Sequence, residues 1–185
     1  MKKGTHETEI KLAVANVQTA RRLLRAAGFR VFRRRVFESN VVFDTAGGTL
    51  RKNRTMVRVR EAGSHATLTF KGVPIAGKHK SREELETEIA SARTVSQILD
   101  RLGFLPSFRY EKYRAEYRAA GGSGVATLDE TPIGVYIELE GSPRWIDRMA
   151  RKLGFAESDY IVASYASLYL EWCKRRGVTP GFMVF

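Results

Sequence analysis

The strand-like segments of this chain alternate with period two, and on one side of each alternation nearly every residue is charged. Glu7, Glu9 and Lys11 alternate with Ile10 and Leu12, and Arg58 and Arg60 alternate with Val57 and Val59. Lys71 follows Thr67 and Thr69 on one parity, and Arg82, Glu84, Glu86 and Glu88 share another. Lys112, Arg114 and Glu116 come next, and last Glu138 and Glu140 against Ile137 and Leu139. Successive side chains of a strand point to opposite faces. The apolar rows therefore seek a core, while the ionic rows face water or a polar interior. The rows are also sorted by sign: Glu-Glu, Arg-Arg, Glu-Glu-Glu, Lys-Arg, Glu-Glu. Like charges two apart on a strand sit roughly 7 Å from each other and repel. For any single strand a solvated face explains the row. Repetition of sorted rows along the chain suits a site that gathers carboxylates around a cation and cations around an anion.

Helical periods interrupt these strands. One runs from the N-cap Asn16 to Gly28-Phe29 with Val17, Ala20, Leu24 and Ala27 on one face. A second starts near Thr94 and ends at Gly103-Phe104. The third has Ser142 as cap and Pro143 at its first position, and ends at Gly154-Phe155. A fourth is expected from Ala163 to Arg176, stopping at Gly177. Strand-like runs at Thr8–Leu12, Phe37–Phe43, Met56–Arg60, Ala66–Lys71, Glu83–Ile89, Tyr110–Tyr117, Val125–Leu128 and Val135–Glu140 are joined by Gly- and Pro-bearing turns. About eight strands with few helices make a β-rich α+β chain, compatible with a barrel. No linker divides it: residues 1–177 read as one domain and 178–185 as a C-terminal tail.

With 43% hydrophobic and 28% charged residues in 185, the chain is ordinary for a globular protein and long enough to bury a core. A single cysteine, Cys173, excludes an internal disulfide and a multi-cysteine zinc site. No apolar run approaches a membrane span, and Met1–Glu7 lacks the apolar run of a signal peptide. The expected setting is the reducing cytoplasm, with no membrane partner. The 32 Lys and Arg exceed the 20 Asp and Glu by 12, and residues 1–60 hold 15 of the bases against four acids. Such an excess invites a nucleic-acid reading. Much of it lies in Arg21, Arg22, Arg25, Arg30, Arg33, Arg34 and Arg35, and for the Arg33-Arg34-Arg35 run a solvated ridge or lid is favoured over an anion-attracting rim or a nucleic-acid reader.

The carboxylate rows offer only oxygen, a ligand set that fits Mg²⁺ or Mn²⁺. Grouped Arg and Lys suit phosphate oxygens. Together they describe a phosphoryl site whose protein groups position and neutralise, with a polyphosphate as ligand.

In order along the chain, Glu7-Thr8-Glu9-Ile10-Lys11, Val42-Phe43-Asp44-Thr45, Arg58-x-Arg60, Thr69-Phe70-Lys71-Gly72, Arg82-x-Glu84-x-Glu86, Lys112-x-Arg114, Leu128-Asp129-Glu130, Glu138-x-Glu140 and Ser164-Tyr165 resemble the motifs of the CYTH domain, the triphosphate tunnel metalloenzymes. The resemblance spans about residues 6–172. It implies a closed eight-stranded antiparallel β-barrel whose tunnel has ionic walls, with helices outside. It also implies a divalent metal, Mg²⁺ or Mn²⁺, and a triphosphate-containing substrate. By similarity, Glu7, Glu9, Glu138 and Glu140 would hold metal, and Asp129 would pair with the metal or the cations. Lys11, Arg58, Arg60, Lys71, Lys112 and Arg114 would clamp phosphates. Glu84 and Glu86 would orient water or a second metal, with Glu88 sharing their parity. Lys11 would serve as base or water-orienting group.

The family divides between hydrolases of inorganic or thiamine triphosphate and class IV adenylyl cyclases, which make cyclic AMP and pyrophosphate from ATP. The cyclases often carry a His-Phe pair upstream of Glu-x-Glu-x-Lys, and Met1–His6 contains none. The expected function is metal-dependent hydrolysis of tripolyphosphate or thiamine triphosphate with release of orthophosphate. A cyclase acting on ATP is the alternative, and a non-catalytic polyphosphate- or nucleotide-binding module the further one. A homodimer stays open. Gly72-Val73-Pro74-Ile75-Ala76-Gly77-Lys78-His79 nearly spells a P-loop, but His79 replaces the metal-binding hydroxyl and no helix follows. His6, His65 and His79 are too scattered for a metal trio.

Overall fold

The computed structural model describes residues 5–185. Met1–Gly4, part of the stretch read above as lacking a leader, lie outside the described residues. Eight strands carry the fold among those residues: β1 (Thr5–Val14), β2 (Phe29–Thr45), β3 (Met56–Ala62), β4 (His65–Lys71), β5 (Lys80–Glu88), β6 (Phe104–Ala119), β7 (Val125–Thr131) and β8 (Gly134–Glu140). They close into a barrel in the order β1-β5-β4-β3-β2-β6-β7-β8, each neighbouring pair antiparallel. Five α-helices accompany them: α1 (Val17–Ala26), α2 (Thr49–Lys52), α3 (Ala92–Arg101), α4 (Pro143–Lys152) and α5 (Tyr165–Arg176). A 3₁₀ turn follows α4 at Glu157–Asp159.

The caps form as the residue types dictate. Asn16, Ser91, Ser142 and Ser164 each accept a hydrogen bond from the backbone N–H three residues on. Capped by Ser91, α3 starts at Ala92, two residues ahead of the expected Thr94. Gly154 at φ +89 ends α4, and the Phe155 N–H returns to the Ala150 carbonyl at 3.0 Å. Trp145 of α4 lies over Gly124, where a Cβ would come within 2.5 Å of the indole, so no larger residue fits.

The barrel is apolar outside and ionic inside. Ile10, Leu12, Leu128, Ile137 and Leu139 point outward and pack against Ala20 and Leu24 of α1 and Trp145, Ile146 and Met149 of α4. Fully burying one such aliphatic side chain contributes about 1.5–3 kcal/mol. On another side Phe43 and Val59 pack beneath Ala92, Val95 and Leu99 of α3. Register then fixes which residues face the lumen. Lys11 pairs with Glu138, Glu7 with Arg82, Arg58 with Thr69, Lys71 with Glu84, Arg114 with Asp129. Shifting any strand by one residue would turn its ionic row into the apolar exterior.

The segment expected as a tail is docked. The Met183 backbone exchanges hydrogen bonds with Arg109 and Glu111, its side chain is fully buried, and the Phe185 ring lies 5.3 Å from that of Tyr113.

An ionic cavity inside the barrel

All six residues expected to clamp phosphates line one cavity of about 890 Å³: Lys11 from β1, Arg58 and Arg60 from β3, Lys71 from β4, Lys112 and Arg114 from β6. Lys80 and Arg82 of β5 join them, while Arg51 and Arg54 stand on and just after α2. Of the expected metal-ligating carboxylates, Glu7, Glu9 and Glu138 share this wall. The ionic rows Lys11, Arg58, Arg60, Lys71, Arg82, Lys112 and Arg114 and Glu7, Glu9, Glu84, Glu86, Glu88, Asp129, Glu138 and Glu140 hold seven bases and eight acids. The cavity wall itself is richer in cations, because several of the acids lie behind it or toward solvent.

The opposite charges are already engaged. Glu9 accepts from Lys11 Nζ at 3.3 Å and Lys80 Nζ at 2.9 Å, and Lys11 lies 3.3 Å from Glu138. Lys71 bonds Glu7 and lies 3.1 Å from Glu84. Arg114 bonds Glu138. Arg58 donates to the Tyr110 hydroxyl and to Thr69 Oγ1, each at 3.1 Å, and reaches Glu86 at 3.5 Å. Among the described residues two buried guanidinium atoms, Arg58 Nε and Arg82 Nε, find no hydrogen-bond partner, Arg82 Nε lying 3.9 Å from Glu7. Buried donors are nearly always satisfied, so these two point to an anionic ligand.

Asp129 holds a different position from the other acids. It is fully buried and accepts from Lys112 Nζ at 2.8 Å, from Arg114 Nε and Nη2 at 2.7 and 2.6 Å, and from the Tyr165 hydroxyl at 2.7 Å. The structure thus sets it among cations. Tyr165, at the first turn of α5, faces Lys11 and Lys112, whose Nζ atoms lie 5.2 and 5.1 Å from the ring centroid. Glu84 and Glu86 flank Arg58 and Lys71, and Glu86 also accepts from Thr69 Oγ1 at 2.6 Å. Glu88 is 82% exposed and stands apart from the cavity.

Electrostatics sort the carboxyls. Burial would raise Glu9, but Lys11 and Lys80 outweigh it and hold it well below the ordinary range. Glu138 is likewise buried yet held far below, by Lys11, Arg114 and Lys112. Lys11, despite its burial, is raised by Glu9 and Glu138. Glu7 goes the other way, raised by burial and then by Glu9. Glu140 still reaches solvent, but the surrounding protein and then the carboxylates of Glu7 and Glu84 push it up to about 7.

Among the described residues no three His, Cys, Asp or Glu side chains already form a metal cage. The donor set nevertheless fits a hard divalent cation. It is all carboxylate oxygen, and the carboxylate repulsion that adds to burial in raising Glu7 and Glu140 is what such a cation would relieve. Glu7, Glu9 and Glu138 would exchange their lysine and arginine partners for it.

Sequence reasoning missed several residues at this wall, Tyr110 and Lys80, and just behind it, Glu38 and Asn40. Glu38 and Asn40 of β2 are buried beside Arg60, whose Nε donates to Asn40 Oδ1 at 3.0 Å and lies 3.7 Å from Glu38. Burial would raise Glu38, but Lys112, Arg114 and Arg60 lower it to about 2. Tyr110 shares the parity of Lys112 and Arg114. Burial would raise its phenol, and Arg58, Arg60 and Lys112 bring it down to about 8 instead. Lys80 continues the Arg82-Glu84-Glu86 row by one step, so its signal was present in the sequence.

A model of the CYTH domain matches residues 5–165, and the chain belongs to that family. A relative from Methanocaldococcus jannaschii, named “Putative adenylate cyclase”, is 27% identical over 137 residues, covering 74% of this chain and 77% of its own length. A solved Pyrococcus horikoshii protein superposes with a TM-score of 0.74 at 26% identity, covering 89% of this chain and 98% of its own. A Hippeastrum protein described as having a dominant triphosphatase activity shares the fold, with a TM-score of 0.65 at 21% identity over 94% of this chain and 97% of its own. Among the described residues no helix is long and apolar enough to cross a membrane.

Proposed function

We propose that this protein hydrolyses a triphosphate-containing small molecule, inorganic triphosphate or thiamine triphosphate, in the barrel cavity and releases orthophosphate. The carrying observation is that eight cationic side chains from five strands line one cavity together with Glu7, Glu9 and Glu138. Arg58, Arg60, Lys71, Lys112 and Arg114 bind and orient the phosphate chain, and the Nε atoms of Arg58 and Arg82, without a hydrogen bond among the described residues, gain acceptors from it. Glu7, Glu9, Glu138 and Glu140 are the residues to hold Mg²⁺ or Mn²⁺, which when bound supplies further neutralisation of phosphate charge. Lys11, an ammonium lying between Glu9 and Glu138, acts as a donor that orients the attacking water. Glu84 and Glu86 offer acceptors for that water's protons. Water oxygen bonds to the terminal phosphorus, the bond to the bridging oxygen breaks, and the diphosphate portion leaves. Asp129 is assigned here to fixing Lys112 and Arg114 rather than to the metal. A cytoplasmic setting agrees with the free, buried Cys173.

The name of the M. jannaschii relative favours a second reading, cyclisation of ATP, in which the ribose hydroxyl attacks the α-phosphorus and pyrophosphate leaves. The activity described for the Hippeastrum protein favours the first. Products decide between them. With Mg²⁺ or Mn²⁺ and, separately, tripolyphosphate, thiamine triphosphate and ATP, the expected outcome is orthophosphate from one of the first two, abolished by Glu9→Gln. Cyclic AMP from ATP would establish the cyclase instead. Binding without any product would leave a non-catalytic module.

A further inference from the structure

A second cavity, of about 560 Å³, lies outside the barrel against α1, the first half of β2 and the end of β6. Arg21 and Arg25 of α1 and Arg30, Arg34 and Arg35 of β2 line it, and no Asp or Glu does. The stretch 17–37 contains seven arginines and no acid. Arg35 is paired with Glu130 at 2.8 Å. Arg21, Arg25, Arg30 and Arg34 have no carboxylate within 4.0 Å among the described residues. Like charges held on one wall without counter-charge repel, and Arg21 and Arg25 are one helical turn apart. A groove that keeps four unpaired guanidinium groups is built for an anion with several charges in a row. Arginine forks grip phosphate oxygens two at a time.

The ligand is narrowed by what the groove lacks. Its aromatic members, Phe29 and Tyr117, are buried in the core under α1. Phe32 is half exposed nearby, but the Arg118 guanidinium lies over its ring at 3.8 Å. Stacking on free aromatic faces is how single-stranded nucleic acid is commonly held, and no such face is available. The groove and the barrel cavity share no lining residue. Along β2, Arg34 is nine residues from Phe43 at the inner cavity, roughly 30 Å of extended chain.

We propose that this groove is a second, external anion site that holds a run of linked phosphates without reading bases, its ligand being inorganic polyphosphate. The assignment does not depend on what the barrel cavity hydrolyses. The test measures binding of long-chain polyphosphate, and of a poly(A) single strand, to the full-length protein across a salt series. It compares wild type with Arg21→Ala/Arg25→Ala/Arg30→Ala/Arg34→Ala, all exposed positions. The expected result is a loss of polyphosphate affinity of about tenfold or more with a shallower salt dependence. Tripolyphosphate turnover and the thermal midpoint should stay as in wild type. The same four positions changed to Lys should retain part of the affinity, which a structural defect would not explain. Unchanged polyphosphate binding in the alanine variant, with loss only on Arg60→Ala, would return the polyphosphate to the barrel and overturn the proposal. Poly(A) binding tighter than polyphosphate through the same four arginines would overturn the choice of ligand.

Discussion

Asp129 shows how one buried carboxylate can organise a site made mostly of cations. It neutralises Lys112 and Arg114 and is itself completed by Tyr165. Asp129→Asn would leave both cations buried with half their compensation. Breaking such a buried pair costs about 3–5 kcal/mol. Urea unfolding in metal-free buffer should therefore show Asp129→Asn strongly destabilised. Unchanged stability there would contradict the anchoring role and restore Asp129 to the metal set. The sequence marked Asp129 as a site residue through its motif, but it could not tell the anchor from a metal ligand. That distinction depends on Lys112, brought to Asp129 by the pairing of β6 with β7, and on Tyr165, which meets Asp129 only after α5 docks. Glu38 and Asn40 escaped notice for a related reason. Their row continues into Val42, so it is not purely ionic, and the criterion of sorted charge passed over it.

At the scale of elements, strands and helices with regular periods were legible and irregular ones were not. The caps at Asn16 and Ser142 stand where the residue types required. β2 was expected from Phe37 and begins at Phe29. Register shifts between Val31 and Arg33 and between Arg33 and Val36 break its alternation, so the arginine run hides a strand. The short helix α2 was missed because its stabilising partner lies outside it. Asp44 accepts hydrogen bonds from the N–H groups of Thr45, Leu50 and Arg51 at 2.8, 2.8 and 3.0 Å. The cavity wall includes Arg51 and Arg54 as a result. Asp44→Ala should cost about 1–2 kcal/mol, as for loss of an N-cap. It should also accelerate amide hydrogen exchange at Leu50 and Arg51 selectively. Uniform exchange across the barrel, or none, would show that Asp44 does not hold α2.

The whole molecule inverts the usual layout of a small β-rich protein. The apolar face of its barrel points outward, where α1, α3 and α4 cover it, and the ionic rows point inward, where many of their charges pair. The sign-sorted rows were the sequence signal for this, and they remain its physical centre. Ion pairs between strands, Lys11 and Arg114 with Glu138, Lys71 with Glu7 and Glu84, Lys80 with Glu9, and Lys112 and Arg114 with Asp129, offset the burial of these charges. Two buried guanidinium atoms still lack a hydrogen-bond acceptor among the described residues, and a phosphate chain with its cation would complete the set. The net excess of base belongs elsewhere, largely on α1 and the first half of β2, which explains why overall charge was a poor guide to the chemistry. Calorimetric titration of tripolyphosphate in the presence of Mg²⁺ or Mn²⁺ tests this account most directly, comparing wild type with Arg60→Ala. Binding should require the metal and should weaken about tenfold or more in Arg60→Ala, the loss of one charge-assisted contact. Affinity that is independent of metal and unchanged by Arg60→Ala would contradict the barrel interior as the binding site.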